Sequence, residues 1–497
     1  MIKPLRVGLR LRCAVVSDPA VAGLSLAPFR GLRFTADPSR LGRLLCPPYD
    51  VIDDAGRRAL IESDPDNVVR IVLPELDDSP PAREDRGPNP AAESSDGVAS
   101  GPRSAADTEA GDRYAHAAEL LASWVADGIL AVDDEPSLYV YEMSTDPGGD
   151  GNVDPESSGA VTRGLLGAVQ LRAPEDGVIL PHENTMAGPV ADRLALMEAT
   201  QANLEPIYLV YDGGGAASEL VASAGDDATP GQLAQPDVPD SPIAAFVTSA
   251  TTPDGTRHRL WAVTDPAVLA EVAADLGTRH ALIADGHHRY ATYRQLAERR
   301  RRSDGSGPWD RGLALLVDSS AYGPEVHPIH RTVPGLSFDD AVARAASNFD
   351  VSEPSGLDAA LARLEDPTQT PAETFAVVVT DGSDAVIVGN PPTQAVAAAR
   401  QDGEPAALSD LDVWVLHRLL IERTWNLPDD EQTVGYAHSV PEAVAGRDAG
   451  VAVLLRATPV AAVTAVAAAG ARMPRKSTLF TPKPASGIVM RRFVDQG

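Results

Sequence analysis

Asp285-Gly286-His287-His288-Arg289 places a carboxylate, two imidazoles and a guanidinium within five residues of a chain that has only ten histidines. Before it, His280–Ile283 reads as a short apolar strand that runs straight into Asp285. After it, Ala291–Arg302 reads as an Arg-rich helix. A strand-to-helix junction exposes unpaired backbone N–H groups and the positive end of the helix dipole, which suits an anion. Gly286 lets the backbone approach a ligand closely, and Arg289 can grip phosphate or carboxylate with two parallel hydrogen bonds. Asp285 is a candidate Mg²⁺ ligand or base. His287 or His288 can move a proton near neutral pH. A surface His-His pair after an Asp-Gly turn would give the same string without chemistry.

Four further segments carry suitable groups. Arg472-Met473-Pro474-Arg475-Lys476-Ser477-Thr478, continuing to Lys483, is the most basic patch of the chain. Lys476 and Lys483 supply charge, and Ser477 and Thr478 supply short hydrogen bonds to phosphate oxygens. Its glycine spacing is not that of a Walker A loop, and a basic tail is the plainer alternative. Pro181-His182-Glu183-Asn184-Thr185, with Arg193 on the helix after it, adds an adjacent imidazole and carboxylate. His330-Arg331 follows a strand end and is a candidate for the same pocket. In Cys46-Pro47-Pro48-Tyr49-Asp50, two prolines fix an extended turn that presents Tyr49 and Asp50, with Arg30 shortly before it.

The elements that must position these groups alternate. Asn67–Leu73, Ser137–Glu142, Leu165–Leu171, Ile207–Tyr211, Arg259–Val263, Leu313–Val317, Phe375–Val379 and Ala449–Arg456 read as strands. Tyr114–Asp127, Val190–Asn203, Pro266–Leu276, Asp410–Trp425 and Pro459–Ala469 read as helices. The alternation predicts a mixed α/β fold, a sheet core with flanking helices. Residues 77–111, 145–159 and 213–241 are rich in Pro, Ser, Asp and Gly and read as mobile insertions. Residues 1–25 read as a disordered extension, and 26–490 as one unit.

Bulk composition excludes some classes. Lys and Arg number 42 against 71 Asp and Glu, a net charge of −29. A surface this acidic repels phosphate backbones and anionic lipid, so nucleic acid and membranes are not expected partners. A small anionic or phosphorylated metabolite drawn into a local basic pocket is. Two cysteines, Cys13 and Cys46, cannot build a disulfide framework or a cysteine zinc cluster. No apolar run of membrane-spanning length occurs. These features fit a cytoplasmic protein.

Seven motifs occur in order: Phe29–Phe34, Pro47–Ile52, Asn67–Glu75, Pro181–Arg193, Ala284–Thr292, Pro328–Val333 and Met473–Lys483. Together they resemble the successive signatures of the prokaryotic family catalogued as domain of unknown function 1015. Relatives commonly carry an aromatic before the last lysine motif, where this chain has Leu479-Phe480-Thr481. The Asp285–Arg289 string is also distantly similar to the phosphate-binding strand-turn-helix of the ParB/sulfiredoxin-like superfamily, which includes free-serine kinases. No cysteine lies at the motif, which argues against the sulfiredoxin branch.

The resemblance implies a phosphoryl-transfer enzyme acting on a small hydroxylated metabolite, with serine or phosphoserine, as kinase or phosphatase, the leading example. Phosphoryl transfer is mostly positioning and charge neutralisation. Asp285 would hold Mg²⁺ or Mn²⁺ or deprotonate the hydroxyl, and ADP or ATP would be the donor. His287, His288 and Glu183 complete the catalytic set. Gly286, Arg289, His182, Arg193, His330, Arg331, Lys476, Ser477, Thr478, Lys483, Arg30, Tyr49 and Asp50 form the binding set. Two alternatives stay open: a metal-dependent hydrolase with His182, Asp285, His287 and His330 as ligands, and a non-catalytic phosphometabolite-binding protein.

Overall fold

A computed structural model describes residues 22–75, 105–145, 161–226, 243–371 and 373–496. The expected extension at 1–25 and insertion at 145–159 lie almost wholly outside these residues, as do 77–104 of the first insertion and 227–241 of the third. The fold is mixed α/β, built on two large sheets. The first has nine strands. Its path runs Ile179–Leu180, Ala281–Asp285, Ile207–Tyr211, Arg311–Asp318, Val161–Gln170, Leu138–Thr145, Thr256–Val263, Ala245–Thr251, and Leu26–Ala27 pairs beside Val161–Gln170. Ala281–Asp285 is parallel to Ile179–Leu180, and Arg311–Asp318 to Ile207–Tyr211; the remaining pairs are antiparallel. The central strands are buried along nearly their whole length, which explains their continuous apolar sequences.

The second sheet has seven strands, all antiparallel. Its path is Asp350–Val351, Asp384–Gly389, Ala376–Thr380, Val451–Leu454, His330–Val333, Gly435–Ala437, with Ser355–Gly356 also on Asp384–Gly389. One continuous apolar cluster takes in Leu166, Tyr208 and Val317 of the first sheet and Val379 and Val451 of the second. Four of the five tryptophans, Trp124, Trp261, Trp414 and Trp425, are fully buried. Large rings thereby compensate for the low aromatic content.

Four expectations change. Residues 105–111, expected as the end of the first insertion, open the helix Ala105–Ala126 instead. Asn67–Leu73 is not a strand but a short helix, Val69–Val72, with all four residues buried. A four-residue apolar run has no readable period. The Asn67 side chain decides it, accepting from Val69 N at 2.9 Å and donating to Leu45 O at 2.9 Å. The span 213–241 begins with a helix, Gly215–Asp226, whose Ala217, Leu220, Val221 and Ala224 are buried at helical spacing. Its Gly and Ala content masked that period. The helix expected over Asp410–Trp425 divides into a short α-helix, Asp412–Val415, and a π-helix, Leu416–Thr424. Among the described residues, no helix is long and apolar enough to cross a membrane.

Candidate functional site

The site is assembled at the end of the Ala281–Asp285 strand. Where this strand pairs with Ile207–Tyr211, the register shifts between Ile283 and Asp285. Such an irregularity re-aims the side chains that follow it. Gly286 then takes φ 89°, ψ 32°, and the helix His287–Ser303 begins. The glycine is required twice over: the left-handed backbone disfavours a side chain, and a Cβ would stand 3.0 Å from Arg289 Nε. The helix buries Arg289, Tyr290, Tyr293, Leu296 and Ala297 and packs against the helix Ala187–Thr200. Arg300, Arg301 and Arg302 occupy its last turn, where positive charge suits the helix dipole.

Asp285 lies between two cations. One oxygen is bound by the Arg289 guanidinium, and the other lies 2.7 Å from Lys483 Nζ. Lys483 also faces Asp50 Oδ2 at 3.4 Å. Burial opposes ionisation of Asp285, but Arg289 and Lys483 outweigh it and hold the carboxyl below its ordinary value. Burial likewise opposes the charge on Lys483, and Asp285 with Asp50 outweighs it, so its pKa is raised.

Glu183 has no such partner. Its oxygens stand 3.9 Å from His182 Nε2 and 3.8 Å from His287 Nδ1, and its side chain is 31% exposed. Burial, reinforced by the charge of Asp285, pushes its carboxyl up to about 7, with Lys483 and Lys476 pulling the other way. The two imidazoles beside it are neutral and fixed. The His182 backbone N–H donates to His287 Nε2 at 3.2 Å, and His182 Nε2 meets Thr478 Oγ1 at 3.1 Å. The rings meet edge to face with centroids 4.5 Å apart. Burial lowers His182 to about 4 and His287 well below its usual value. His288 accepts from Met186 N at 3.0 Å and is lowered by burial too.

Four sequence segments therefore meet: Tyr49-Asp50, His182-Glu183, Asp285–Arg289 and the stretch from Met473 to Lys483. The last is tied in by Met473 N donating to His182 O at 2.8 Å. Thr478 and Lys483 reach the cluster. Lys476 is exposed at φ 53° and acts on Glu183 through its charge. Arg193 and Tyr49 adjoin it: the guanidinium stacks 4.2 Å from the Tyr49 ring centroid and is held by Asp192 and Val72 O.

Other expected residues have other employment. Ser477 is 5% exposed, and its hydroxyl donates to Pro474 O, closing the turn rather than facing a ligand. His330 Nδ1 accepts from Leu455 N at 3.2 Å within the second sheet. Arg331 is fully buried and donates to Ile329 O, Lys476 O and His417 Nε2, bracing the lysine turn from behind. Arg30 is exposed and exchanges backbone hydrogen bonds with the Gln496 side chain. A metal set of His182, Asp285, His287 and His330 is therefore not formed. Among the described residues, no group of three His, Cys, Asp or Glu side chains is placed to hold a metal ion. Asp285, expected as a metal ligand, has both oxygens on cations that would repel one. The residues present do not fit a resident Mg²⁺ or Mn²⁺.

Two contributors lay outside the motifs. Glu205 is buried and accepts from Tyr49 N at 3.1 Å and Ser486 Oγ at 3.0 Å, locking the Pro47–Tyr49 corner to the C-terminal stretch. Its signal was an acid at the head of the apolar run Ile207–Tyr211. A cavity of about 30 Å³ between Arg193, Glu205 and Arg289 has room for water but no metabolite. His417, the other, bonds Asp429 through Nδ1 at 2.7 Å.

The family model described as "Protein of unknown function (DUF1015)" matches residues 26–96 and 98–414. The chain belongs to that family. The match ends before the Met473–Lys483 stretch, which supplies Lys483 and Thr478 to the cluster. No functionally curated protein sequence matches the chain. Among solved structures, a free serine kinase mutant in complex with ADP is similar at 12% identity, covering 61% of this chain and 84% of that one, with a TM-score of 0.30. A conserved hypothetical protein from Pyrococcus furiosus is similar at 13% identity over 64% and 94%, TM-score 0.29. A C-terminally truncated SbnI from Staphylococcus aureus is similar at 9% identity over 65% and 85%, TM-score 0.30. Overlaps of this size transfer neither a reaction nor a residue role.

Proposed function

We propose that the chain is a phosphoryl-transfer enzyme acting on a small hydroxylated metabolite, with serine as the leading acceptor and ADP or ATP as donor. The observation that carries this reading is Lys483 at 2.7 Å from Asp285, beside a Glu183 whose carboxyl is raised to about 7. A general base works best with a pKa near the working pH. Glu183 meets that condition, and Asp285, held ionised by two cations, does not. In the forward step the acceptor hydroxyl oxygen forms a bond to the terminal phosphorus of the donor. The bond from that phosphorus to the leaving phosphate oxygen breaks, and the hydroxyl proton passes to Glu183. Lys483, Lys476 and Arg289 offset the phosphate charge, as such transfers need. Asp285 and Asp50 position Lys483. His182, neutral and held by Thr478, walls one side of the site with His287.

The expected result is AMP or ADP formation that depends on serine, or phosphate release from phosphoserine, measured on the full chain with Mg²⁺ or Mn²⁺ added. No turnover in either direction, with phosphoserine still bound, would replace the enzyme by a phosphometabolite-binding protein. No turnover and no binding would discard both.

A further inference from the structure

Asp50 stands at the mouth of the Glu183 site with unused capacity. Its side chain is 40% exposed, and its charge is felt at Glu183, His288, Arg289 and Lys483. Oδ2 lies 3.4 Å from Lys483 Nζ, but that ammonium has a nearer carboxylate, Asp285 at 2.7 Å. Among the described residues, Asp50 Oδ1 has no partner. The other cations close by are engaged elsewhere: Arg289 on Asp285 and Pro206 O, Arg193 on Asp192 and Val72 O. His288 supplies no charge. Its Nε2 accepts from Met186 N, and burial holds the ring below its ordinary pKa against the pull of Asp50, so it is neutral at pH 7. The carboxylate is also held in place. It sits in the short 3₁₀ turn Tyr49–Val51 behind Pro47 and Pro48. Tyr49 N donates to the buried Glu205 carboxylate, Val51 N donates to Pro48 O at 3.2 Å, and the Tyr49 ring stacks on the Arg193 guanidinium. A fixed backbone that carries an unsatisfied charge loses little freedom when a ligand arrives.

We propose that Asp50 receives the ammonium group of the acceptor, which makes the substrate class of this site the hydroxylated primary amines, hydroxy amino acids and amino alcohols, rather than the hydroxy acids. This rests on the phosphoryl-transfer reading for the fate of the hydroxyl, but not for the binding of the amine. An ammonium group only donates, through three N–H bonds. A carboxylate accepts from it in a charge-assisted bond about twice as strong as a neutral one. A hydroxyl in the same position donates one neutral bond. A site built to pair a polar group of its substrate discriminates against an analogue that lacks the group.

The test compares L-serine with L-glycerate, its isostere with a hydroxyl in place of the ammonium, by calorimetric titration of the full chain at neutral pH. Serine should bind about tenfold or more tightly. Asp50→Asn keeps the shape and removes the charge, so the serine-to-glycerate affinity ratio should fall about tenfold or more, and Asp50→Glu should restore most of it. If Asp50 served only to hold Lys483, its loss would weaken both ligands alike and leave the ratio as it was. Equal affinity of the wild type for the two ligands, no binding of serine, or an unchanged ratio in Asp50→Asn would each overturn the proposal. Turnover separates it from the reaction. Serine preference without phosphate transfer keeps the amine site and discards phosphoryl transfer, whereas transfer to glycerate as fast as to serine keeps phosphoryl transfer and discards the amine site.

Discussion

Two buried clusters use the same side-chain types to opposite ends. Around Glu183, the carboxylate Asp285 is matched by Arg289 and Lys483, and a second carboxyl stands beside it with no cation in contact and part of its surface open. Around Arg331, the guanidinium, His417 and Asp429 form a closed relay whose hydrogen bonds end on backbone carbonyls and on each other. Both are rich in perturbed groups. Perturbation alone therefore does not mark chemistry; a group left with unused hydrogen-bonding capacity and access does. Glu183 has both, whereas Arg331 is a strut for the turn at Lys476.

The largest effect that can break this comparison is on rate. Glu183→Gln removes the proton acceptor and keeps the shape, so kcat should fall about 10²–10⁴-fold, the usual worth of general base catalysis. The raised carboxyl also sets a sign. A base acts when deprotonated, so the wild-type rate should climb with pH through about 7 and then level, while the residual rate of the variant should not show that step. A full rate in Glu183→Gln would remove Glu183 from the mechanism.

Next is stability. Lys483→Met leaves Asp285 buried with Arg289 alone, and breaking one arm of a buried ion pair costs about 3–5 kcal/mol, read from urea unfolding. Asp50, 40% exposed on its side chain, can turn to water and should add little. Arg331→Met should cost less, about 1–3 kcal/mol for carbonyls left without donors, and should leave the pH step at about 7 in place. If Arg331→Met abolished that step, the relay would belong to the reaction and the distinction between the two clusters would fail.

The sequence carried the site's membership better than its wiring. The strand, the glycine and the helix around Asp285 were legible because an apolar run, an Asp-Gly turn and a helical period follow one another within twenty residues. That Lys483 and not Lys476 contacts Asp285 was not legible. It depends on Lys476 adopting φ 53° and on Leu479–Thr481 pairing with Glu325–His327, a contact across more than 150 residues. The Ser477 hydroxyl turns inward to Pro474 O, and no pattern in the basic stretch announces that. Asn67–Leu73 misled because β-branched residues favour strands only when a ladder is there to receive them; here Asn67 caps a buried helical turn instead. His417 falls inside the helix expected over Asp410–Trp425, and only the fold brings Asp429 and Arg331 to its two nitrogens. In each case the missing information was a long-range partner or a single backbone angle, neither of which periodicity records.

The smallest expected effect locates the edge of the first cluster. Arg30 shares a sequence neighbourhood with Tyr49 and Asp50, and proximity in the chain suggested a shared pocket. Its backbone instead bonds the Gln496 side chain, at 3.2 Å through N and 3.1 Å through O, and its guanidinium is exposed. Arg30→Ala leaves those backbone bonds intact and removes only a solvated charge, so stability should change by less than about 0.5 kcal/mol and serine-dependent turnover should stay at the wild-type rate. A drop in turnover with unchanged unfolding would mean that the anion reaches beyond Lys483 toward the chain's C-terminal turn, and the cluster's boundary would have to be redrawn to include it.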